Sequence, residues 1–294
     1  MADILLLVLK ITMIIFMVGN LLDLGLRLDL KAALGGLKDV RFVTLSLLWA
    51  FVLCPAVAYG LTLVIPLKPA FAMGFMLLSL APCAPLLPMV AEKAHADLNY
   101  VASFILLAAF GTVIYMPVMV PVMVKGLSVS AWTVAKPLLF LVVIPLVIGV
   151  VVQNRWRAFA SRIQPFVKKV TGIDTLVMLI CVVLIYGKGF IGSFGTYAIG
   201  TQVIFFTLIT AGAYALGFGM PPDQKSVVAL GICTRNNGAA MAPLLIAKDV
   251  DPNALVMVSL GIPLMFAFAL IGAKVFAARA GRGEEVAETQ RARA

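Results

Sequence analysis

Long apolar stretches separated by short polar segments dominate this chain. Nine of the stretches contain about 18 or more residues, the length that a helix needs to cross the hydrocarbon core of a bilayer. The pattern therefore predicts an all-α membrane protein with nine transmembrane helices. The predicted spans are residues 4–22, 42–65, 70–91, 99–124, 133–152, 173–194, 197–220, 226–247 and 253–278.

Two of the predicted spans contain residues that interrupt a helix. The third span holds three prolines, and each proline removes a backbone donor and disturbs the preceding turn. The eighth span holds a polar cluster with a glycine and a later proline. The interrupting residues are Pro82, Pro85 and Pro88 in the third span, and Thr234, Arg235, Asn236, Asn237, Gly238 and Pro243 in the eighth.

The interrupted spans lie five spans apart, which predicts two copies of one unit in an inverted repeat of four plus five helices. Interrupted helices at matching positions of two halves indicate a binding site near the middle of the membrane. In this division, residues 1–152 hold the first repeat and the fifth span, and residues 173–278 hold the rest of the second repeat. A basic linker at 153–172 separates them, and we expect it on the cytoplasmic side.

Composition agrees with a membrane protein, because 63% of the residues are hydrophobic, 12% are charged and the mean hydropathy is +1.09. The net charge of +10 arises from lysines and arginines that cluster in alternate loops and in the tail. This positive-inside bias predicts a multi-pass inner-membrane protein with its N-terminus outside and its C-terminus in the cytoplasm. Nucleic acid is therefore not an expected partner. The polar tail, 279–294, has mixed charge and is predicted to be disordered.

The residues that usually build catalytic or metal sites are scarce. The single histidine and the four cysteines show no metal-ligand spacing, and no Ser/His/Asp set or phosphate loop is present. No enzyme activity and no cofactor are therefore expected. The residues concerned are His95, Cys54, Cys83, Cys181 and Cys233.

Arg235 stands out because it lies about ten residues from each end of the eighth span, near the bilayer midplane. Intramembrane charges usually face a pathway or a ligand. A guanidinium suits a carboxylate or phosphate, and Thr234, Asn236 and Asn237 offer hydrogen bonds beside it. This pattern predicts an anion site. The alternative is structural, with Arg235 bonding backbone carbonyls that the helix break leaves free.

Several of these residues resemble the bile acid:sodium symporter superfamily. The likeness lies in Pro82 of the broken span, the following Ala-Glu-Lys-Ala-His-Ala-Asp at 91–97, and Gln224-Lys225 leading to Arg235-Asn236. The resemblance implies a secondary transporter that works by alternating access. It also implies a core domain of spans 2–4 and 7–9, with two crossed broken helices, that moves against a panel domain of spans 1, 5 and 6.

The positions that carry sodium ligands in such proteins differ in this chain. The serine and asparagine of the first broken helix become Leu87 and Pro88, and hydroxyls of the next span become Val101 and Ile105. The glutamate of the second broken helix becomes Gly231, or Leu230 in another alignment, and its glutamine becomes Arg235. Since sodium needs about five or six oxygens, neither family sodium site is expected here.

Ala81-Pro82-Cys83 and Asn236-Asn237 also look like the arsenite efflux carriers of the same superfamily. The acidic residue of those carriers falls at Ala239 or Ala240, and Cys83 also suits a small apolar packing position. The predicted substrate-binding residues are Arg235, Asn236, Asn237, Thr234, Cys83 and Ala84.

The function expected from the sequence is transport of a small organic anion. The alternatives are metalloid efflux and sodium symport through a re-built ion site. Asp174 and Lys188 flank the sixth span and are expected to reach opposite membrane surfaces. No carboxylate is therefore expected inside the membrane, and the substrate, the direction of transport, the coupling ion and the oligomeric state stay open.

Overall fold

A computed structural model describes residues 2–82, 86–127, 129–247 and 249–291, with side chains for residues 4–280 of those ranges. Every regular element in these ranges is a helix. In chain order the helices are α1 (Ala2–Arg27), α2 (Leu30–Gly36), α3 (Val40–Leu48), α4 (Cys54–Val64), α5 (Pro69–Leu80), α6 (Leu87–Lys93), α7 (Leu98–Met123), α8 (Ala131–Leu138), α9 (Ile144–Arg155), α10 (Arg157–Gly192), α11 (Ala198–Ala215), α12 (Pro222–Cys233), α13 (Asn237–Ile246) and α14 (Pro252–Arg291).

Seven helical segments of the described chain are long and apolar enough to cross a membrane. Two of them join neighbouring helices through a π-helical turn, which precedes Pro55 between α3 and α4 and Pro145 between α8 and α9. A π turn accommodates the backbone bond that a proline cannot make. The seven segments confirm an all-α membrane protein and are Ile4–Arg27, Val40–Val64, Leu98–Met123, Ala131–Arg155, Arg157–Gly192, Ala198–Ala215 and Pro252–Ala280.

The other two predicted spans are each built from two short helices with a break between them. The third predicted span corresponds to α5 and α6, and the eighth corresponds to α12 and α13. Neither pair contains a single helix of spanning length, so the count of nine spans and the inverted repeat stay predictions.

The helix-breaking residues take different places in these pairs. Pro82 lies in the first break, whereas Pro88 lies in the first turn of α6, where a missing N–H costs nothing. Gly238 lies in the first turn of α13, so the second break falls before it, at Thr234 and Arg235. Pro85 lies outside the described residues.

Two helices extend into the predicted linker and tail. Residues 157–172 of the linker form the first turns of α10, and α14 continues to Arg291 through most of the predicted disordered tail. Both segments are rich in alanine, arginine, lysine, glutamate and glutamine, which are strong helix formers. At about 1.5 Å per residue, α10 is roughly 54 Å long and exceeds the thickness of a hydrocarbon core.

Helix α1 packs along α9 and α10, the helices of the predicted panel domain. Two glycines set the spacing between α1 and α9. A methyl group on Gly25 would lie 2.4 Å from the carbonyl oxygen of Leu146, and one on Gly149 would lie 2.6 Å from that of Leu22. The backbones therefore touch here, as at small-residue contacts between membrane helices.

We expect Gly25→Ala to lower the stability of the protein by about 1–3 kcal/mol, because α1 must move away from α9 to admit the methyl group. Gly200→Ala is the matched control, since a methyl group on Gly200 of α11 meets nothing within 4 Å. The measurement is the midpoint of thermal unfolding in detergent. Equal midpoints for the two variants would contradict the close contact.

Candidate functional site

The two interrupted helix pairs meet at their breaks. Pro82 and Arg235 form an isolated antiparallel β-bridge, and the N–H of Asn236 donates to the carbonyl oxygen of Ala81 at 2.9 Å. Short extended segments of the two breaks therefore lie side by side. We call these four residues, Ala81, Pro82, Arg235 and Asn236, the crossing.

Arg235 is fully buried at the crossing, and its guanidinium bonds to both helices that end there. Nε donates to the carbonyl oxygen of Leu78 at 3.1 Å, and Nη2 donates to that of Ser79. Nη1 donates to the carbonyl oxygen of Ile232 at 3.2 Å. The acceptors belong to the last turns of α5 and α12, where carbonyl groups have no partner within the helix.

The electrostatics of helix ends explain this position. The C-terminal end of a helix carries roughly half a negative charge, so two such ends favour a cation between them. Arg235 supplies that cation from the chain itself. These contacts match the structural role that the sequence offered as the alternative for Arg235. Contact between Arg235 and a substrate anion stays a prediction.

The polar residues beside Arg235 also bond to the backbone. Asn236 caps α13, because its Oδ1 accepts from the N–H of Ala239 at 3.0 Å. Thr234 donates to the carbonyl oxygen of Leu230 at 2.9 Å and has no exposed surface. Cys83 and Ala84 lie outside the described residues, so the predictions that rest on them stay predictions.

Among the predicted site residues, Asn237 has a buried side-chain oxygen that accepts no hydrogen bond from the described residues. Its Nδ2 donates to the carbonyl oxygen of Arg235 at 3.3 Å, and Gln202 Nε2 donates to that of Met257 at 2.6 Å. The amide oxygens of Asn237 and Gln202 are buried and have no hydrogen-bond partner among the described residues. Each would lie 3.4 Å from a methyl group built on Gly261. Two acceptor oxygens therefore face one small space at that glycine.

A cavity of about 350 Å³ lies between α1, α10 and the crossing. Its wall is mostly apolar, with methionines from five elements, and this composition and size are typical of small-molecule sites. Arg235, Asn236 and Asn237 border it. Sequence reasoning missed its other polar residues, since single polar residues in apolar runs gave a weak signal. They are Asn20, Asp23, Arg27, Lys168, Thr171 and Thr175.

Apart from Arg235, the charged residues of the cavity, Asp23, Arg27 and Lys168, lie at the end away from the crossing, and we call this end the mouth because Arg27 and Lys168 are exposed there. Asp23 is buried, and it accepts from Gln164 Nε2 at 2.7 Å and from Arg27 Nη2. The ion pair Asp23–Arg27 leaves the charge of Lys168 in excess at this end. Beside the crossing, Gly238 packs near Met17 of α1. Met17 lies ten residues before Arg27 on this helix, so at about 1.5 Å per residue the cavity reaches roughly 15 Å from the mouth towards the crossing.

Apart from Arg235, the positions at which the resemblance implies sodium ligands carry apolar residues. Val101 and Ile105 are buried, and Leu87 has no exposed surface. A side chain at Gly231 would collide with Phe104, whose Cε1 lies 2.3 Å from the methyl position. The space that a glutamate would need is therefore occupied by an aromatic ring. The carbonyl oxygens of Leu78, Ser79 and Ile232 at the two helix ends are bonded to Arg235.

Comparison with known proteins gives one family. A model of the Sodium Bile acid symporter family matches residues 12–193, which is more than half of the chain. The matched stretch contains the first interrupted pair and ends after α10, before the second pair. No curated protein matches the chain significantly.

We expect Arg235→Met to lower the free energy of unfolding by about 3 kcal/mol or more, because three buried carbonyl oxygens lose their donor. The control is Arg41→Met, since Arg41 is exposed and makes one bond, to the carbonyl oxygen of Gly219 at 3.0 Å. Thermal unfolding in detergent measures both. If Arg235→Met unfolds at the same temperature as Arg41→Met, Arg235 does not hold the crossing together.

Proposed function

The chain belongs to the sodium bile acid symporter family, whose members are secondary transporters, and on that premise we propose that it carries a small organic anion across the membrane without sodium. The observation that carries the proposal is the bonding of the Arg235 guanidinium to the carbonyl ends of α5 and α12. The guanidinium of Arg235, which is part of the chain, takes the place between these helix ends that a sodium ion would need.

The cavity supports an anionic, partly apolar substrate. Lys168 and Arg27 stand at its mouth and Arg235 borders it near the crossing, with Asp23 offsetting one of these charges. Such a field raises the local concentration of anions. The N-terminal ends of α6 and α13 also lie at the breaks, and helix N-termini favour anions. Methionine and phenylalanine side chains offer contact to an apolar body.

The membrane arrangement is part of the same proposal. Nine spans, with each interrupted pair counted as one, place the N-terminus outside and the C-terminus in the cytoplasm of an inner-membrane protein. The mouth residues Arg27 and Lys168 then lie on the cytoplasmic side. In this arrangement the cavity opens towards the cytoplasm, and α1, α9 and α10 move against the crossing during transport.

The first experiment measures binding and uptake, with taurocholate, hexanesulfonate and hexanoate as probes. We expect at least one probe to stabilise the purified protein against thermal unfolding and to enter proteoliposomes equally well in sodium and choline buffers. We expect Thr175→Trp to abolish this uptake, because Thr175 lines the cavity and an indole would fill it. The control, Leu176→Trp, changes a side chain on the same helix that is 62% exposed.

The two tryptophan variants separate a blocked cavity from a damaged helix. Uptake by Thr175→Trp at the rate of Leu176→Trp would contradict the assignment of the cavity as the substrate site. Absence of binding and uptake for all three probes would contradict the anion proposal.

One observation favours a second candidate, sodium symport through a re-built ion site. The free amide oxygens of Gln202 and Asn237 at Gly261 are two of the five or six oxygens that sodium prefers. The nearby guanidinium opposes a second cation, so we rank this candidate lower.

Gly261→Ala tests the sodium candidate. The methyl group meets only the flexible end of Leu78, at 2.8 Å, and the two oxygens at ordinary contact distance, so the variant is expected to fold. We expect sodium and choline chloride to give equal unfolding midpoints in both the parent protein and the variant. A sodium-specific stabilisation that the parent shows and Gly261→Ala lacks would establish the re-built site and overturn the sodium-independent proposal.

A further inference from the structure

Asp174 is buried inside a membrane-spanning helix, contrary to the expectation that it reaches the membrane surface. It lies in α10, its side chain is 7% exposed, and its Oδ2 has no hydrogen-bond partner among the described residues. The sequence suggested a surface position because the apolar run begins only at residue 173. Helix α10 packs against α1, α9 and α14, and this packing leaves Asp174 buried instead.

The second carboxyl group near the cavity shows what Asp174 lacks. Both oxygens of Asp23 accept a hydrogen bond, one from Gln164 and one from the cation of Arg27. A buried carboxylate with such partners keeps its charge at moderate cost. Asp174 has neither a cation nor a donor of this kind, and an ionised oxygen with no donor is unfavourable in a dry interior.

Asp174 also lies next to the proposed substrate cavity. Thr171 and Met178, three residues before it and four after it, both line the cavity, and residues at these spacings share a helix face. Asp174 is therefore at the edge of the cavity-lining stripe of α10. It is one turn further from the mouth than Thr171, which packs against Gly19 of α1.

No charged side chain of the described residues forms an ion pair with Asp174. Within the described chain the only salt bridge is Arg27–Asp23, and no titratable side chain bonds to Asp174. Helix α10 packs against α1, α9 and α14. The titratable or charged side chains with described positions on these three helices are Lys10, Asp23, Arg27, Arg155, Lys274 and Arg279. Those on α10 itself, besides Asp174, are Arg157, Arg162, Lys168, Lys169, Cys181, Tyr186 and Lys188.

We infer that Asp174 takes up one proton with each substrate anion, so that the carrier is a proton–anion symporter. The inference rests on the proposed function. An anion in the cavity repels an ionised Asp174 through low-dielectric protein, and it does not repel the neutral acid. Anion binding and protonation therefore strengthen each other by the same factor.

The charge balance of the step is complete. A proton from the solution at the cavity mouth bonds to a carboxylate oxygen of Asp174 and changes its charge from −1 to 0, while the bound anion brings −1 into the cavity. The loaded and empty carriers thus have the same net charge. When the cavity opens to the other side, the anion leaves and the acid returns its proton to water.

Binding of taurocholate at a series of pH values tests the coupling, because its sulfonate does not titrate in the range used. We expect the affinity of the parent protein to rise by about tenfold or more from high to low pH. In Asp174→Asn, which imitates the neutral acid, we expect high affinity at every pH. The control, Asp251→Asn, alters an exposed carboxylate at the start of α14, and we expect it to keep the pH dependence of the parent.

Proton movement measured with the parent protein does not depend on the folding of the variant, and infrared spectra then test Asp174 itself. In proteoliposomes that contain a pH dye, addition of taurocholate or hexanesulfonate should move protons inward with the anion. Infrared difference spectra of parent and Asp174→Asn should show the C=O band of a protonated carboxylic acid in the parent alone. Anion uptake without proton movement, or affinity independent of pH in the parent, overturns the inference and leaves the proposed function standing. Absence of any anion binding or uptake contradicts the proposed function itself, and absence of the infrared band overturns the assignment of Asp174.

Discussion

The bonding of one guanidinium to the ends of two helices is the interaction on which the rest of this structure depends. Helices α5 and α12 both end inside the protein, where their last carbonyl groups have no water to bind. Arg235 donates to the carbonyl oxygens of Leu78, Ser79 and Ile232 and brings a positive charge to two partly negative ends. An intramembrane charge that would otherwise be costly thus becomes the group that holds the crossing.

Apolar side chains surround the positions near Arg235 where the resemblance implies sodium ligands. Gly231 leaves room for the ring of Phe104, and Val101 and Ile105 fill positions where relatives are expected to present oxygens. A cation that is part of the chain cannot dissociate, so it cannot draw energy from a sodium gradient. Two carboxyl groups are buried near the cavity: Asp23 lines it, and Asp174 lies at the edge of its lining on α10.

The two carboxyl groups differ in their partners, although both are buried. Asp23 joins the helices through Gln164 and is balanced by Arg27, so it belongs to the framework. Oδ2 of Asp174 accepts no hydrogen bond from the described residues, and this lack of a donor favours the protonated form of the acid. A fixed cation at the crossing and a titratable acid beside the cavity are both consistent with the proposed transport of an anion without sodium.

The sequence by itself determined the helical membrane class, the positions of the two breaks and the importance of Arg235. Apolar runs of spanning length and the prolines and polar residues that interrupt them are local features, because backbone hydrogen bonding within one segment sets them. The changes in polarity at residues 172 and 278 do not end a helix, because α10 and α14 continue across them. The tertiary structure alone decided what each polar side chain does. Arg235 faces carbonyl groups more than 150 residues earlier in the chain, the amide oxygens of Gln202 and Asn237 face one small space at Gly261, and Asp174 is buried. These outcomes depend on which helices pack together, and a linear pattern of residues does not contain that information.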